Sequence, residues 1–217
     1  MIQIAVDGPA GSGKSTVARE VAKRLGIVYL DTGAMYRAVT YQTLIEKRSV
    51  QNAHDLEIIV EALELEVAPG QIWANGKNVT EAIRQPEISR NVSYVAMDAY
   101  VRKCMVDLQR KIAGTQSVIM DGRDIGTHVL PNAKFKFFLT ATAEERAKRR
   151  QIELDKAGYS VDYKALVDEI NERDRLDSER EVSPLKIADD AEIIDTTELT
   201  TDQVIDLILK KIAYTNE

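Results

Sequence analysis

The residues with the clearest chemistry form a glycine-rich segment near the start of the chain. They follow the pattern G-x-x-x-x-G-K-[ST] and are Gly8, Pro9, Ala10, Gly11, Ser12, Gly13, Lys14, Ser15 and Thr16. Glycines let successive backbone N–H groups turn toward one anion, and the positive end of a following helix adds to the attraction. In such a segment Lys14 reaches the β- and γ-phosphates of ATP, and the Ser15 hydroxyl ligates Mg²⁺. The segment predicts an ATP site; the alternative is a glycine-rich turn capped by Ser15.

A carboxylate at the end of an apolar run is the second candidate for phosphate chemistry. Asp121 follows Val118-Ile119-Met120, a run typical of a buried strand. Ligands of open α/β sheets bind beyond the carboxyl ends of the strands. Asp121 is therefore predicted to hold a Mg²⁺-bound water beside the glycine-rich segment. The alternative is a carboxylate that only orients the turn at Gly122.

The hydrophobic pattern predicts the strands and helices that must position these residues. Apolar runs predict strands at residues 2–6, 28–30, 118–120, 135–139 and 192–194. Amphipathic stretches predict helices at residues 15–25, 143–155 and 201–213. Strands separated by helices predict an α/β fold of three layers, with a parallel five-stranded core sheet covered on both faces.

Between roughly residues 48 and 90 the sequence no longer alternates buried strands with amphipathic helices. Alternating segments at residues 64–67, 71–74 and 77–79 are separated by Pro69-Gly70 and by Asn75-Gly76. An Asn-Gly pair between such segments is the strongest short signal for a β-hairpin. The pattern predicts a small antiparallel insertion on the parallel core.

The composition excludes several classes of protein. The 217 residues carry a net charge of −6 with a pI near 5.2, whereas nucleic-acid binding needs clustered excess cations, so we expect no nucleic-acid partner. No apolar run approaches the roughly 18–20 residues of a membrane span, and the first residues do not resemble a signal peptide. We therefore expect a cytoplasmic protein with no membrane partner. Cys104, His54 and His128 form no recognisable metal or nucleophilic set.

Three further stretches indicate what accepts the phosphoryl group. They read Asp31-Thr32-Gly33-Ala34-Met35-Tyr36-Arg37, then Asp121-Gly122-Arg123-Asp124-Ile125-Gly126-Thr127, then Arg173-Asp174-x-x-Asp177-x-x-Arg180 with Ser183-Pro184-Leu185 after it. In this order, over essentially the whole chain, the sequence resembles the cytidylate kinases. The resemblance implies a P-loop kinase fold whose core comprises residues 1–40, 100–155 and 185–217. It also implies a nucleotide-binding insert at residues 41–99 and a helical lid at residues 156–184.

The resemblance also implies a role for each matching residue. Thr32, Arg37 and Arg123 would bind the phosphate of the acceptor, Ser93 and Arg102 would read cytosine, and Asp124 would bind the ribose hydroxyls. Arg173 and Arg180 would be lid arginines, with Asp177 orienting one of them or the acceptor. The catalytic set would be Lys14, Arg123, Arg173 and Arg180.

Several of these residues have simpler alternatives. Without the resemblance, Arg102 is an ordinary surface arginine. The spacing of Arg173, Asp177 and Arg180 is equally that of a solvated, salt-bridged helix face. Arg146 or Arg149 would approach ATP, or would only complement the dipole of their helix.

The combined expectation is an ATP- and Mg²⁺-dependent kinase, a monomer, that phosphorylates CMP and dCMP. One alternative is a P-loop kinase for UMP, AMP or a metabolite. Others are an ATP-driven switch and a nucleic-acid ATPase, which the acidic pI disfavours. The guanine-reading Asn-Lys-x-Asp motif of GTPase switches is absent from the sequence.

Overall fold

Parallel strands form the centre of the protein. The computed structural model describes residues 1–68 and 70–214, and within them the core sheet has five strands: β1 (Gln3–Asp7), β2 (Val28–Asp31), β6 (Val118–Gly122), β7 (Phe135–Thr140) and β8 (Glu192–Asp195). Their order across the sheet is β2-β6-β1-β7-β8, and every pair is parallel. The five predicted core strands and the parallel sheet are therefore confirmed.

Helices cover both faces of this sheet, which confirms the three-layer prediction. They are α1 (Lys14–Leu25), α2 (Thr32–Ile45), α3 (Ala53–Ala62), α4 (Pro86–Met97), α5 (Ala99–Ala113), α6 (Ala143–Lys156), α7 (Tyr163–Glu179) and α8 (Thr201–Tyr214). Side chains of a strand alternate between the two faces. Ile4 and Val6 accordingly join the core under α1 and α8, whereas Ala5 joins the core under α2 and α5.

Local sequence explains where the site-bearing helices begin. α1 starts after Gly13, whose φ of 87° is in the left-handed region that favours glycine. α2 starts after Asp31, whose carboxylate accepts a hydrogen bond from the Ala34 N–H at 2.9 Å. α2 follows directly on the carboxyl end of β2, and α1 follows the loop at the carboxyl end of β1. Both helices therefore begin at the edge of the sheet where ligands bind.

The predicted insertion is a second, antiparallel sheet. β3 (Leu65–Ala68), β4 (Gln71–Ala74) and β5 (Lys77–Asn78) pair in that order. Asn75 and Gly76 both have positive φ, as expected for a two-residue hairpin turn. Gly70, which has a positive φ, lies between β3 and β4. Pro69, the other residue of the predicted turn, lies outside the described residues.

α6 and α7 form an arm with a small core of its own, made of Ala147, Leu154, Leu166 and Ile170. α7 also packs on α4, so the arm lies against the insert side of the site. The division into core, insert (residues 41–99) and lid (residues 156–184) stays a prediction, and its last three residues, 215–217, are outside the described part. Among the described residues, no helix is both long and apolar enough to cross a membrane.

Candidate active site

The glycine-rich segment forms the loop between β1 and α1 and the first residues of α1. Gly8, Gly11 and Gly13 all have positive φ, and a Cβ on Gly8 would lie 2.0 Å from the Leu139 carbonyl oxygen. Lys14 is buried and donates to the Pro9 carbonyl at 2.7 Å. Burial, and then the charge of Arg123, lowers the pKa of Lys14 to about 7. A buried ammonium whose charge is this unfavourable is suited to an anion.

Asp121 lies directly opposite the start of α1. Its Oδ2 accepts a hydrogen bond from the Ser15 hydroxyl at 2.6 Å, and its Oδ1 accepts one from the Tyr29 hydroxyl at 2.8 Å. Burial, followed by repulsion from Asp31, raises the pKa of Asp121 to about 6. The structure thus brings together the two residues predicted for Mg²⁺.

The oxygens of Ser15 and Asp121 fit a magnesium ion that also binds phosphates. Mg²⁺ in phosphoryl-transfer sites takes one or two protein oxygens and fills its other positions with water and substrate. No group of three or more His, Cys, Asp or Glu side chains that could hold a metal occurs in the described part of the chain. The oxygens of Ser15 and Asp121 are therefore suited to a Mg²⁺ that takes its other ligands from water and from bound phosphates.

Several guanidinium groups converge beside Lys14. Arg37 donates to the Ser89 hydroxyl at 2.8 Å, and Arg150 donates to the same hydroxyl at 3.3 Å. Burial, and then the charges of Arg173 and Arg150, lowers the pKa of Arg37 to about 9. Burial, and then the charge of Arg123, lowers the pKa of Arg173 to about 10. We call Lys14, Arg37, Arg123, Arg150 and Arg173 the cation cluster.

A second polar group lies between α5, α7 and the end of β6. The buried guanidinium of Arg102 forms a salt bridge with the buried carboxylate of Asp124, which Arg180 also approaches at 3.4 Å. The Arg102 guanidinium lies over the ring of Tyr36, 5.5 Å from its centroid. Arg102 is thus a buried, partnered residue, and its simpler alternative of a surface arginine is wrong.

Ion pairs connect α7 to the core. Arg123 donates to the Asp177 carboxylate at 2.8 Å, and Arg146 donates to Asp174 at 2.6 Å. Arg146 also donates to the Ala10 carbonyl, inside the glycine-rich segment, at 3.1 Å. Asp177 therefore links the arm to residues 121–127. Arg146, which Asp174 pairs with inside the arm, links the arm to the phosphate loop.

The remaining predicted residues have these positions. Thr32 is buried and its hydroxyl donates to the Asp121 carbonyl at 2.6 Å, so it links residues 31–37 to β6. Ser93 is buried on α4. Arg149 donates to the hydroxyl and the carbonyl of Thr196, and its guanidinium lies 3.8 Å from where a Cβ of Gly13 would be.

Three residues at the site were not predicted. Asp7 is buried and accepts hydrogen bonds from the N–H groups of Ile125 and Gly126 at 2.8 and 2.7 Å. Tyr29 holds Asp121, and Arg150 joins the cation cluster. For Asp7 the available signal was its position at the carboxyl end of the first strand, directly before Gly8.

The fold and the site together define a P-loop kinase. A shikimate kinase from Bacteroides thetaiotaomicron has the same fold, with a TM-score of 0.50 at 14% identity, over 99% of this chain and 97% of that one. The chain belongs to the cytidylate kinase family, whose sequence profile, described as Cytidylate kinase, matches residues 4–214.

Similar proteins agree with the family assignment. A cytidylate kinase from Alkaliphilus oremlandii is 50% identical over 208 residues, covering 96% of each chain. One from an Exiguobacterium strain is 49% identical over 211 residues, covering 95% of this chain and 94% of that one.

Proposed function

We propose that the chain transfers the γ-phosphoryl group of ATP to CMP and dCMP in one direct, in-line step. The observation that carries the proposal is the cation cluster. Lys14, Arg37 and Arg173 each have a lowered pKa because burial and neighbouring cations oppose their charge. Anions relieve such repulsion. The cluster combines Lys14 of the phosphate loop with Arg37 of residues 31–37 and Arg123 of residues 121–127.

On the donor side, the backbone N–H groups of residues 8–16 and the Lys14 ammonium bind the phosphates of ATP. Ser15 and Asp121 hold Mg²⁺, directly or through its water. When bound, Mg²⁺ neutralises part of the charge on the β- and γ-phosphates. The short Ser15–Asp121 contact supports this assignment, because it aligns a hydroxyl and a carboxylate beside Lys14.

On the acceptor side, Arg37 and Arg123 bind the phosphate of CMP together with Thr32. Cytosine offers an N4 donor beside N3 and O2 acceptors, which a hydroxyl and a guanidinium complement, so Ser93 and Arg102 are suited to read it. Asp124 is suited to accept hydrogen bonds from the ribose. Its salt bridge to Arg102 supports a shared role, because each side chain then holds the other in place.

No residue has to remove a proton from the acceptor, because a phosphate monoester oxygen is already anionic near neutral pH. The protein's contribution is orientation and charge stabilisation by Lys14, Arg123, Arg173 and Arg180. Closure of the lid, residues 156–184, excludes water that would otherwise take the phosphoryl group. The Arg123–Asp177 pair supports closure as a step that completes the site.

The test is ADP production from ATP and Mg²⁺ with CMP, dCMP, UMP and AMP side by side. Arg102→Ala and Asp124→Ala are expected to lose activity toward CMP. The control is Arg110→Ala, which should retain activity: Arg110 is on α5 like Arg102, but it donates to the carbonyls of His128 and Val129. Turnover with UMP or AMP that equals turnover with CMP would contradict the assignment of Ser93 and Arg102. Absence of any acceptor-stimulated turnover would contradict the kinase proposal itself.

A further inference from the structure

The Tyr29 hydroxyl donates a hydrogen bond to the proposed metal site. Tyr29 lies on β2, where its ring packs with the core under α1 and with Arg19, whose guanidinium is 5.6 Å from the ring centroid. The hydroxyl donates to Asp121 Oδ1 at 2.8 Å across 92 residues of sequence. The pKa of a tyrosine hydroxyl is ordinarily about 10, so this group is a proton donor at neutral pH.

The two oxygens of Asp121 have different partners. Ser15 donates to Oδ2 at 2.6 Å, and among the described residues Tyr29 is the side chain that donates to Oδ1. The terminal torsion of an aspartate is broad, so the carboxylate plane is not fixed by its own rotamer preference. Thr32 holds the Asp121 backbone carbonyl at 2.6 Å but does not act on the carboxylate plane. Two hydroxyl groups, one on each oxygen, define that plane.

We propose that Tyr29 is a positioning residue for the magnesium site. By holding Oδ1, it keeps Oδ2 directed at Ser15 and at the ion that the two share. The inference rests on the proposed role of Asp121 in binding Mg²⁺. Residues that orient metal ligands typically contribute about 10- to 100-fold in metal affinity. The role belongs to the hydroxyl alone, because the ring has its own packing and cation–π contacts.

Tyr29→Phe removes the hydroxyl and leaves the ring. The measurement is the affinity of the enzyme–ADP complex for Mn²⁺, followed by electron paramagnetic resonance of the free ion. We expect Mn²⁺ to bind roughly 10-fold more weakly in the variant. The affinity for metal-free ADP and the urea midpoint should stay close to those of the wild type. Tyr100→Phe is the matched control, since its hydroxyl also donates to a carboxylate, that of Glu61 at 3.1 Å, at an exposed position.

Asp121→Asn separates this inference from the proposed function. If Tyr29 acts through Asp121, adding Tyr29→Phe to Asp121→Asn should weaken Mn²⁺ binding little further, because effects within one network are not additive. Weaker binding in Asp121→Asn with unchanged binding in Tyr29→Phe would overturn the role of Tyr29 and keep Asp121 in the metal site. Unchanged binding in both variants would overturn both. An equal loss of metal-free ADP affinity in Tyr29→Phe would reveal a general structural role and overturn the inference.

Discussion

Replacing Arg173 with methionine should make the nucleotide-free protein more stable and the enzyme inactive. The Arg173 side chain is half-buried, and its Nε has no hydrogen-bond partner among the described residues. Burial, and then the charge of Arg123, lowers its pKa to about 10. In the absence of an anion, folding therefore places this guanidinium in a worse environment than water does.

The size of the effect follows from the pKa. A shift of this size corresponds to about 3 kcal/mol of unfavourable charging free energy, and solvent screening at a half-buried position reduces it to about 1–2 kcal/mol. Methionine keeps most of the apolar stem and has no charge to desolvate. We therefore expect Arg173→Met to raise the free energy of unfolding by about 1–2 kcal/mol.

The assay is urea unfolding in chloride buffer, with and without CMP. CMP should stabilise the wild type more than the variant, because a charge-assisted hydrogen bond to phosphate contributes about 1.5–3 kcal/mol. Turnover should fall by about 100- to 1,000-fold, as it does when one donor to a transition-state oxyanion is removed. Arg175→Met is the matched control two residues away: Arg175 is exposed, pairs with Glu172 and Glu179, and its loss should lower stability slightly.

A lower free energy of unfolding for nucleotide-free Arg173→Met, with an unchanged slope against urea, would refute the reasoning. It would mean that Arg173 stabilises the free protein, and that the cation cluster is a structural network with no requirement for an anion. Equal stabilisation of wild type and variant by CMP would separately exclude Arg173 from the acceptor site.

Three further outcomes are expected. Asp124→Ala should lower the free energy of unfolding by about 3–5 kcal/mol, because Arg102 is left buried without its carboxylate; an unchanged urea midpoint would contradict this. Gly8→Ala should abolish ATP binding in a nucleotide titration, because its Cβ would lie 2.0 Å from a backbone oxygen, whereas Gly26→Ala, with nothing within 4 Å, should bind normally. Burial raises the pKa of Asp7 to about 6, so its stabilising contribution is present below the unfolded pKa and is lost as the pH rises through about 6. From pH 4 to pH 7 the free energy of unfolding of the wild type should fall by on the order of 2 kcal/mol, and Asp7→Asn should not show this fall.

Local patterns were sufficient to predict the fold and the phosphate loop. The apolar runs have the lengths of buried strands, and the whole phosphate-binding motif lies in one short segment, residues 8–16. Asn75-Gly76 likewise determines its own hairpin through positive φ. The acceptor residues came from resemblance, because Ser93 or Arg102 taken singly has no distinguishing pattern.

The residues that sequence reasoning missed bind partners far away along the chain. Asp7 accepts hydrogen bonds from two residues that lie 118 and 119 positions further along the chain. The Tyr29 hydroxyl donates to a residue 92 positions away, and Arg150 donates to one 61 positions away. A single sequence contains no period or motif that records such a pair. Asp7 and Tyr29 meet their partners because parallel strands bring their carboxyl ends to one edge of the sheet. Arg150 and Ser89 lie on two helices, α6 and α4. Both arrangements are properties of the assembled topology.

α7 shows how a structure resolves a pattern that sequence leaves open. A solvated, salt-bridged face and a phosphate-binding face were both consistent with its charges. The helix has an exposed, salt-bridged face, on which Arg175 pairs with Glu172 and Glu179, three and four residues away. Asp177 is instead buried and pairs with Arg123, 54 residues away, and Arg180, which follows the end of the helix, approaches Asp124. Ions that pair within one helix stabilise that helix whatever surrounds it. Ions that are buried and pair with another element constrain the geometry between the two, and that geometry is what phosphoryl transfer requires.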